Sequence, residues 1–184
     1  MSILDTLRDR RSVREYKRET LPRPSIETLV RAATLAPSAM DEQPWHFTIV
    51  QNQALLDSIS DGAKAHVLSS GLTMPEPMRA MLQDHAYQIF YHAPALIVIS
   101  APENLPFAVE DCALAAENLM LAAAAEGLGS CWIGFAQLFL RTEAGSSLLG
   151  LPHGLRCVAP IIVGRPAAMP PPVARRAATI HWIG

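Results

Sequence analysis

The sequence predicts a single domain of mixed α and β structure without a regular βαβ alternation, and three observations predict it. Apolar residues recur at helical spacing in some segments and form short continuous runs in others. The order of these segments is irregular, and no period repeats along the chain. Half of the 184 residues are hydrophobic, ample for one packed core, so a disordered or purely linking role is not expected.

Residues Ser2 to Asp9 place Ile3, Leu4 and Leu7 at helical spacing, and Ser25 to Leu35 repeat the pattern with Ile26, Leu29, Val30 and Ala33. Two short amphipathic helices therefore flank a basic segment, Arg10 to Arg14. Pro22 and Pro24 start the second helix, with Ser25 as its expected N-cap. Pro37 ends it, because the residue before a proline resists the helical conformation. Pro37 to Pro44 is expected to be a loop. His46 to Val50 reads as a strand in which His46 is structural. Gln53 to Leu68 and Pro77 to Tyr91 read as helices around a stretch from Gly71 to Pro77, and Ala95 to Ser100 as a buried strand.

Phe107 to Gly127 is rich in Ala and Leu around nearly its whole circumference, which predicts a helix buried on all sides. Glu110, Asp111, Glu117, Asn118 and Glu126 argue against a membrane span, since each acidic group at bilayer depth costs roughly 3 kcal/mol. A domain of this length has limited room to enclose so long a helix, so one face is expected to meet a second copy of the chain. Glu117 and Asn118 are expected to satisfy each other or a dimer contact. Val158 to Val163 is an apolar strand, followed directly by Gly164-Arg165. Beyond it, the prolines of Met169 to Val173 favour an extended polyproline arm, and Ala178 to Ile183 is apolar enough to pack on something.

The formal net charge of −2 supplies no global field toward nucleic acid or an anionic membrane, so any phosphate must be caught by a local cation cluster. Residues 1–14 lack the uninterrupted apolar run of a secretory signal, and a cytoplasmic location is expected. Cys112, Cys131 and Cys157 lie in apolar surroundings without C-x-x-C spacing, so they are expected to be reduced packing residues.

In an extended Arg10-Arg11-Ser12-Val13-Arg14, the side chains of Arg10, Ser12 and Arg14 share one face. Two guanidinium forks and a hydroxyl suit a phosphomonoester and a second electron-rich group. Read alone, the segment fits a solvated basic face somewhat better, its Arg stems covering apolar surface. Nucleic-acid contact is not expected, because neither aromatic interleaving nor a wider basic patch accompanies it. Gly164-Arg165 projects an arginine from the end of a buried strand, a usual place for a ligand contact and also for a plain turn. Gly127-Leu128-Gly129-Ser130-Cys131-Trp132-Ile133-Gly134 fits no dinucleotide or P-loop pattern, and it follows a helix where a dinucleotide fingerprint follows a strand. Its glycines are expected to end the long helix and to let main-chain N–H groups near Ile133 and Gly134 approach something flat. No nucleophile elbow, H-E-x-x-H or metal-spaced cluster is present, so neither a catalytic side chain nor a metal site is assigned.

Together these segments resemble the nitroreductase family of FMN-dependent oxidoreductases. The carrying motifs are Arg10 to Arg14, Ala36-Pro37-Ser38-Ala39-Met40-Asp41-Glu42-Gln43-Pro44-Trp45-His46-Phe47, Asp111 to Gly134 with its Ala-Glu-Asn-Leu core, and Gly164-Arg165-Pro166. The resemblance implies an α+β fold spanning residues 1–184, with a central, mainly antiparallel sheet flanked by helices. It implies a homodimer with FMN at the interface and exchanged C-terminal arms, here residues 169–184. It also implies that Arg10, Ser12 and Arg165 hold the FMN phosphate with Arg11 and Gly164 close by, and that Arg14 faces the pyrimidine end. Pro37, Ser38, Ala39, Met40 and Gln43 would come from the other subunit, and the backbone of Ile133 and Gly134 would meet the ring.

The activity implied is ping-pong transfer of hydride from NADH or NADPH, through FMN, to a nitroaromatic, quinone or similar small acceptor. The alternatives are another flavin reaction, such as dehalogenation, ene reduction or flavin breakdown, or a flavin-binding module without turnover. Two departures stand out. Asp41 occupies a position where the family commonly has Asn, and a carboxylate beside a flavin disfavours its reduced anion. The chain is also short, leaving Gly71 to Tyr91 as the expected lid.

Overall fold

The computed structural model describes residues 2–184. In chain order the elements are α1 (Ile3–Asp9), α2 (Arg23–Ala33), β1 (His46–Val50), α3 (Gln53–Ser69), α4 (Glu76–Gln83), β2 (Ala95–Pro102), α5 (Ala108–Ala125), β3 (Gly129–Trp132), α6 (Gly134–Leu140), α7 (Glu143–Leu149) and β4 (Leu155–Gly164). The four strands form one antiparallel sheet in the order β1-β2-β4-β3. This is the α+β arrangement that the sequence implied.

The two central strands are apolar on both faces because helices cover both. Along β2 the side chains alternate: Ala95, Ile97, Ile99 and Ala101 join α2 and α5, whereas Leu96 and Val98 join α3 and α6. A bulge between Ile99 and Ser100 shifts the β2–β4 register. It puts Val158 and Ala159 on the same face as Ile161 and Val163, as an inserted residue does.

Local chemistry explains most boundaries. Ser2 and Asp5 form a reciprocal capping box at α1, and Asn52 caps α3 by accepting from the Leu55 N–H. Gly127, with φ +70°, terminates the helical run after α5. Helix α2 begins earlier than expected: Pro22 is its N-cap and Pro24 sits in the first turn, where a missing N–H costs nothing. Ser25 is therefore inside the helix, not its cap.

One further expectation is corrected. The helix expected over Pro77 to Tyr91 ends at Gln83, because Asp84 turns extended (φ −67°, ψ 118°) and its side chain accepts from the Ala86 N–H. Within the glycine-rich run after α5, Gly129–Trp132 is edge strand β3. Gly129 is required there, since a Cβ would lie 2.8 Å from the Cβ of Val13. Residues 178–184 pack on nothing within this chain, with Trp182 86% and Ile183 90% exposed.

Helix α5 is also less enclosed than its composition suggests. Ala115, Ala116, Leu119 and Ala123 are buried, but Phe107 and Leu114 are exposed and Leu121 is half-buried. These three recur every seven residues and form one uncovered apolar stripe. Glu117 and Asn118 do not satisfy each other: Glu117 faces Arg10, and Asn118 donates to the Ala32 carbonyl.

Candidate functional site

The basic segment after α1 is extended and runs beside β3. Ser12 forms a parallel bridge with Ser130, and the Val13 N–H donates to the Ser130 carbonyl at 3.0 Å. Extended backbone alternates its side chains, so Val13 is buried (1% exposed) while Arg14 is exposed. Arg10, Ser12 and Arg14 approach the same neighbour, Cys131. Burial raises the pKa of the Cys131 thiol, and Arg14, Ser12 and Arg10, in that order, draw it back down. Arg10, Ser12 and Arg14 thus all act on the Cys131 thiol.

The individual arginines differ in what holds them. Arg10 Nε lies 3.7 Å from Glu117 Oε1 on α5. Arg11 turns away: it donates to the carbonyls of Arg8 and Arg10, and also to that of Pro171 in the C-terminal arm. Arg165 follows the buried Gly164, whose missing side chain accommodates Pro94 and Tyr16; a Cβ would come within 2.6 Å of Pro94 Cδ. Its side chain is half-exposed, with Nε 3.4 Å from Glu19 Oε2.

Arg14 opens onto a cavity of about 380 Å³ shared with Tyr87, Ile89, Tyr91, Cys131 and Trp132. Ile133, Gly134, Phe135 and Leu138 complete it. The volume lies in the ordinary range for small-molecule sites, and the lining is mainly apolar with a few polar groups. Larger cavities exist beside Lys64 and between α2 and β1, but neither contains a residue of the basic segment.

At the cavity floor the Ile133 N–H donates to the Pro160 carbonyl at 2.9 Å, so it is not a free donor. Gly134 is the first residue of α6, where an N–H has no partner within the helix. A Cβ at Gly134 would meet no protein atom within 4 Å, so a flat ligand can approach this backbone closely.

The cavity wall from residues 84–92 is mounted on α3 by side chains that replace regular backbone pairing. Lys64, 6% exposed, donates to the Tyr87 carbonyl at 2.8 Å and lies 3.2 Å from Asp61. Ser60 Oγ accepts the Ile89 N–H, and Asp57 accepts from the Gln88 amide. Tyr91 and His92 both have φ +53°, costing of order 1 kcal/mol or more each. Arg14 stands 5.9 Å from the Tyr91 ring centroid, within cation–π range. Sequence reasoning did not single out Tyr87 or Tyr91, because a helical reading of 77–91 hid the turn that presents them, nor Lys64, whose role depends on that turn lying against α3.

The Pro37–Gln43 loop lies outside this cavity. Asp111, buried on α5, accepts the Ala39 N–H at 2.9 Å, and Ser38 Oγ accepts the Gln43 N–H. Asp41 accepts from the Gln43 amide at 2.8 Å, so its carboxylate is engaged within the loop. Met40, Asp41 and Gln43 have positive φ, and Met40 is 91% exposed. Among the described residues no cluster of three His, Cys, Asp or Glu could hold a metal, and no helix is long and apolar enough to cross a membrane.

The profile of the Nitroreductase family matches residues 7–165. The chain belongs to the nitroreductase family. A protein of Methanothermobacter thermautotrophicus, provisionally named as an NADH dehydrogenase/NAD(P)H nitroreductase, is 33% identical over 174 residues, 92% of this chain and 80% of that protein. The iodotyrosine deiodinase of Thermotoga neapolitana is 29% identical over 136 residues, 70% of this chain and 71% of its own. Among solved structures, a nitroreductase with bound FMN from Bacteroides fragilis superposes with a TM-score of 0.87 at 28% identity, covering 100% of both chains.

Proposed function

We propose that this nitroreductase-family chain is an FMN-dependent oxidoreductase, acting as a homodimer, that passes hydride from NADH or NADPH to a small nitroaromatic or quinone acceptor by a ping-pong mechanism. The observation that carries the reading is the cavity where the Arg14 guanidinium meets an aromatic wall and the open backbone at Gly134. The FMN bound in the Bacteroides fragilis structure supports the choice of cofactor.

In this reading Arg10, Ser12 and Arg165 hold the FMN phosphate, with Arg11 and Gly164 adjoining. Arg14 faces the pyrimidine end, and Ile133 and Gly134 lie against the ring. Because the Ile133 N–H is engaged by Pro160, Gly134 is the donor of that pair. Pro37, Ser38, Ala39, Met40 and Gln43 contribute from the second subunit, and Asp111 keeps their loop in shape through the Ala39 N–H. When bound, FMN supplies the two-electron chemistry, accepting hydride from the nicotinamide and giving it to the acceptor. The Arg14 guanidinium would stabilise negative charge at the ring edge. The Gly134 N–H orients the ring, and the apolar wall excludes water.

Dimerisation rests on surface this chain leaves apolar: the Phe107–Leu114–Leu121 stripe, Ile3 and Leu4 of α1, and Ile180, Trp182 and Ile183 of the arm. Large apolar side chains left exposed in this number supply surface for association. The test is an absorption spectrum of the purified protein with and without added FMN, followed by anaerobic reduction with NADH or NADPH and reoxidation with a nitroarene.

A second reading keeps the cofactor and changes the acceptor to a halophenol, removed of its halogen reductively. The iodotyrosine deiodinase relative favours it. Reoxidation by an iodophenol with release of iodide, and not by nitroarenes, selects it.

A further inference from the structure

Among the described residues, Tyr87 and Tyr91 carry the only hydroxyls lining the Arg14 cavity. The Tyr87 hydroxyl donates to that of Tyr91 at 2.9 Å, with the rings edge-on at 79°. The other side-chain hydrogens of the cavity are largely committed: the Cys131 thiol faces the Trp132 carbonyl, and Trp132 Nε1 donates to Gln137. Among the described residues, the Tyr91 proton and the Arg14 guanidinium are left without acceptors, and Arg14 Cζ stands 5.9 Å from the centroid of the Tyr91 ring.

We propose that Tyr91 is a specificity-determining residue for the acceptor, donating its free proton as a hydrogen bond to an oxygen of a planar nitro or quinone compound. The inference rests on the oxidoreductase reading above, in which Arg14 serves the cofactor and the neighbouring hydroxyl is left for the acceptor. Tyr87 is the positioning residue: by occupying a lone pair of Tyr91 it restricts where that proton points. Burial, then the bond to Tyr91, raises the pKa of Tyr87, so Tyr87 keeps its proton in that bond. The mounting is rigid, because Lys64 and Ser60 hold the backbone at Tyr87 and Ile89. The left-handed backbone at Tyr91 and His92 fixes the ring beneath Arg14.

Calorimetric titration of the flavin-loaded protein with 4-nitrobenzoate, with no nicotinamide present, tests this without turnover. Tyr91→Phe keeps the ring against Arg14 and removes only the hydroxyl. It is expected to weaken binding about five-fold or more, with Tyr87→Phe acting in the same direction but less, as loss of one hydrogen bond predicts. In turnover the loss is expected in KM and not in kcat, with FMN affinity within about two-fold of wild type. Unchanged 4-nitrobenzoate binding in Tyr91→Phe overturns the proposal, as does an equal loss of FMN affinity, which reassigns the hydroxyl to the cofactor. Wild-type protein that binds FMN but not 4-nitrobenzoate also overturns it. Wild-type protein that binds no FMN contradicts the oxidoreductase reading itself, and this proposal, which rests on that reading, falls with it.

Discussion

Glu117 Oε1, on the long central helix, lies 3.7 Å from Arg10 Nε, so a carboxylate of α5 aims the first arginine of the basic segment. Arg10 is only 20% exposed in its side chain, whereas Arg165 is 53% exposed and pairs with Glu19. Arg10→Ala and Arg165→Ala are each expected to weaken FMN binding by about 2 kcal/mol or more, the scale of hydrogen bonds to charged groups. Fluorescence titration of FMN reads this, and unchanged affinity in both variants would place the phosphate elsewhere. Glu117→Gln should lower folding stability by less than about 1 kcal/mol, because the partly exposed pair is screened by solvent.

Three glycines separate packing from ligand approach. An alanine at Gly129 or Gly164 meets Val13 or Pro94 and Tyr16 inside 3 Å, so each substitution is expected to cost about 1–3 kcal/mol by overpacking. Gly134→Ala meets nothing in the protein and should unfold at the wild-type denaturant concentration, yet bind FMN more weakly. A Gly134→Ala protein with wild-type flavin affinity would remove Gly134 from the site.

Lys64 ties the cavity wall to α3 through the Tyr87 carbonyl. Lys64→Met fills similar space but leaves that carbonyl without its charged donor. It is expected to cost about 1–3 kcal/mol, with faster hydrogen exchange concentrated in residues 84–92. Uniformly faster exchange along the chain would show a global role instead.

Burial pushes the thiols of Cys112 and Cys157 up to about 12. The folded chain therefore holds these protons more tightly than the unfolded chain, whose thiols titrate near an ordinary value of about 8.5. The stabilisation is complete below that pH and is lost as pH rises toward 12. Each thiol contributes a slope of up to about 1.4 kcal/mol per pH unit in that window. Urea midpoints measured at pH 8, 9.5 and 10.5 should fall, and Cys157→Ala should flatten the fall. A pH-independent midpoint would contradict the burial.

Much of this architecture was legible because its signals are local. The strand His46–Val50 matches its expected bounds, and the Ala-rich run gives α5 nearly to the residue. In the extended Arg10–Arg14 segment, Val13 is buried and Arg14 exposed, as alternation requires. What was not legible depends on partners distant in sequence. Strand β3 is four residues long and exists through its pairing with β4 and Ser12. Helix α4 stops where Asp84 and Lys64 satisfy the backbone differently. The Ile133 N–H was expected to be free, but the Pro160 carbonyl, brought in by the sheet, takes it. Short helices α6 and α7, each seven residues, gave too little periodicity to be read.

The most direct measurement is an anaerobic titration of the purified, FMN-supplemented protein, followed by absorbance at the flavin bands. The expected result is one tightly bound FMN per chain, bleached by NADH or NADPH and restored by a nitroarene or quinone. A protein that binds no FMN, or whose nicotinamide oxidation with a nitroarene is not stimulated by FMN, would contradict the account.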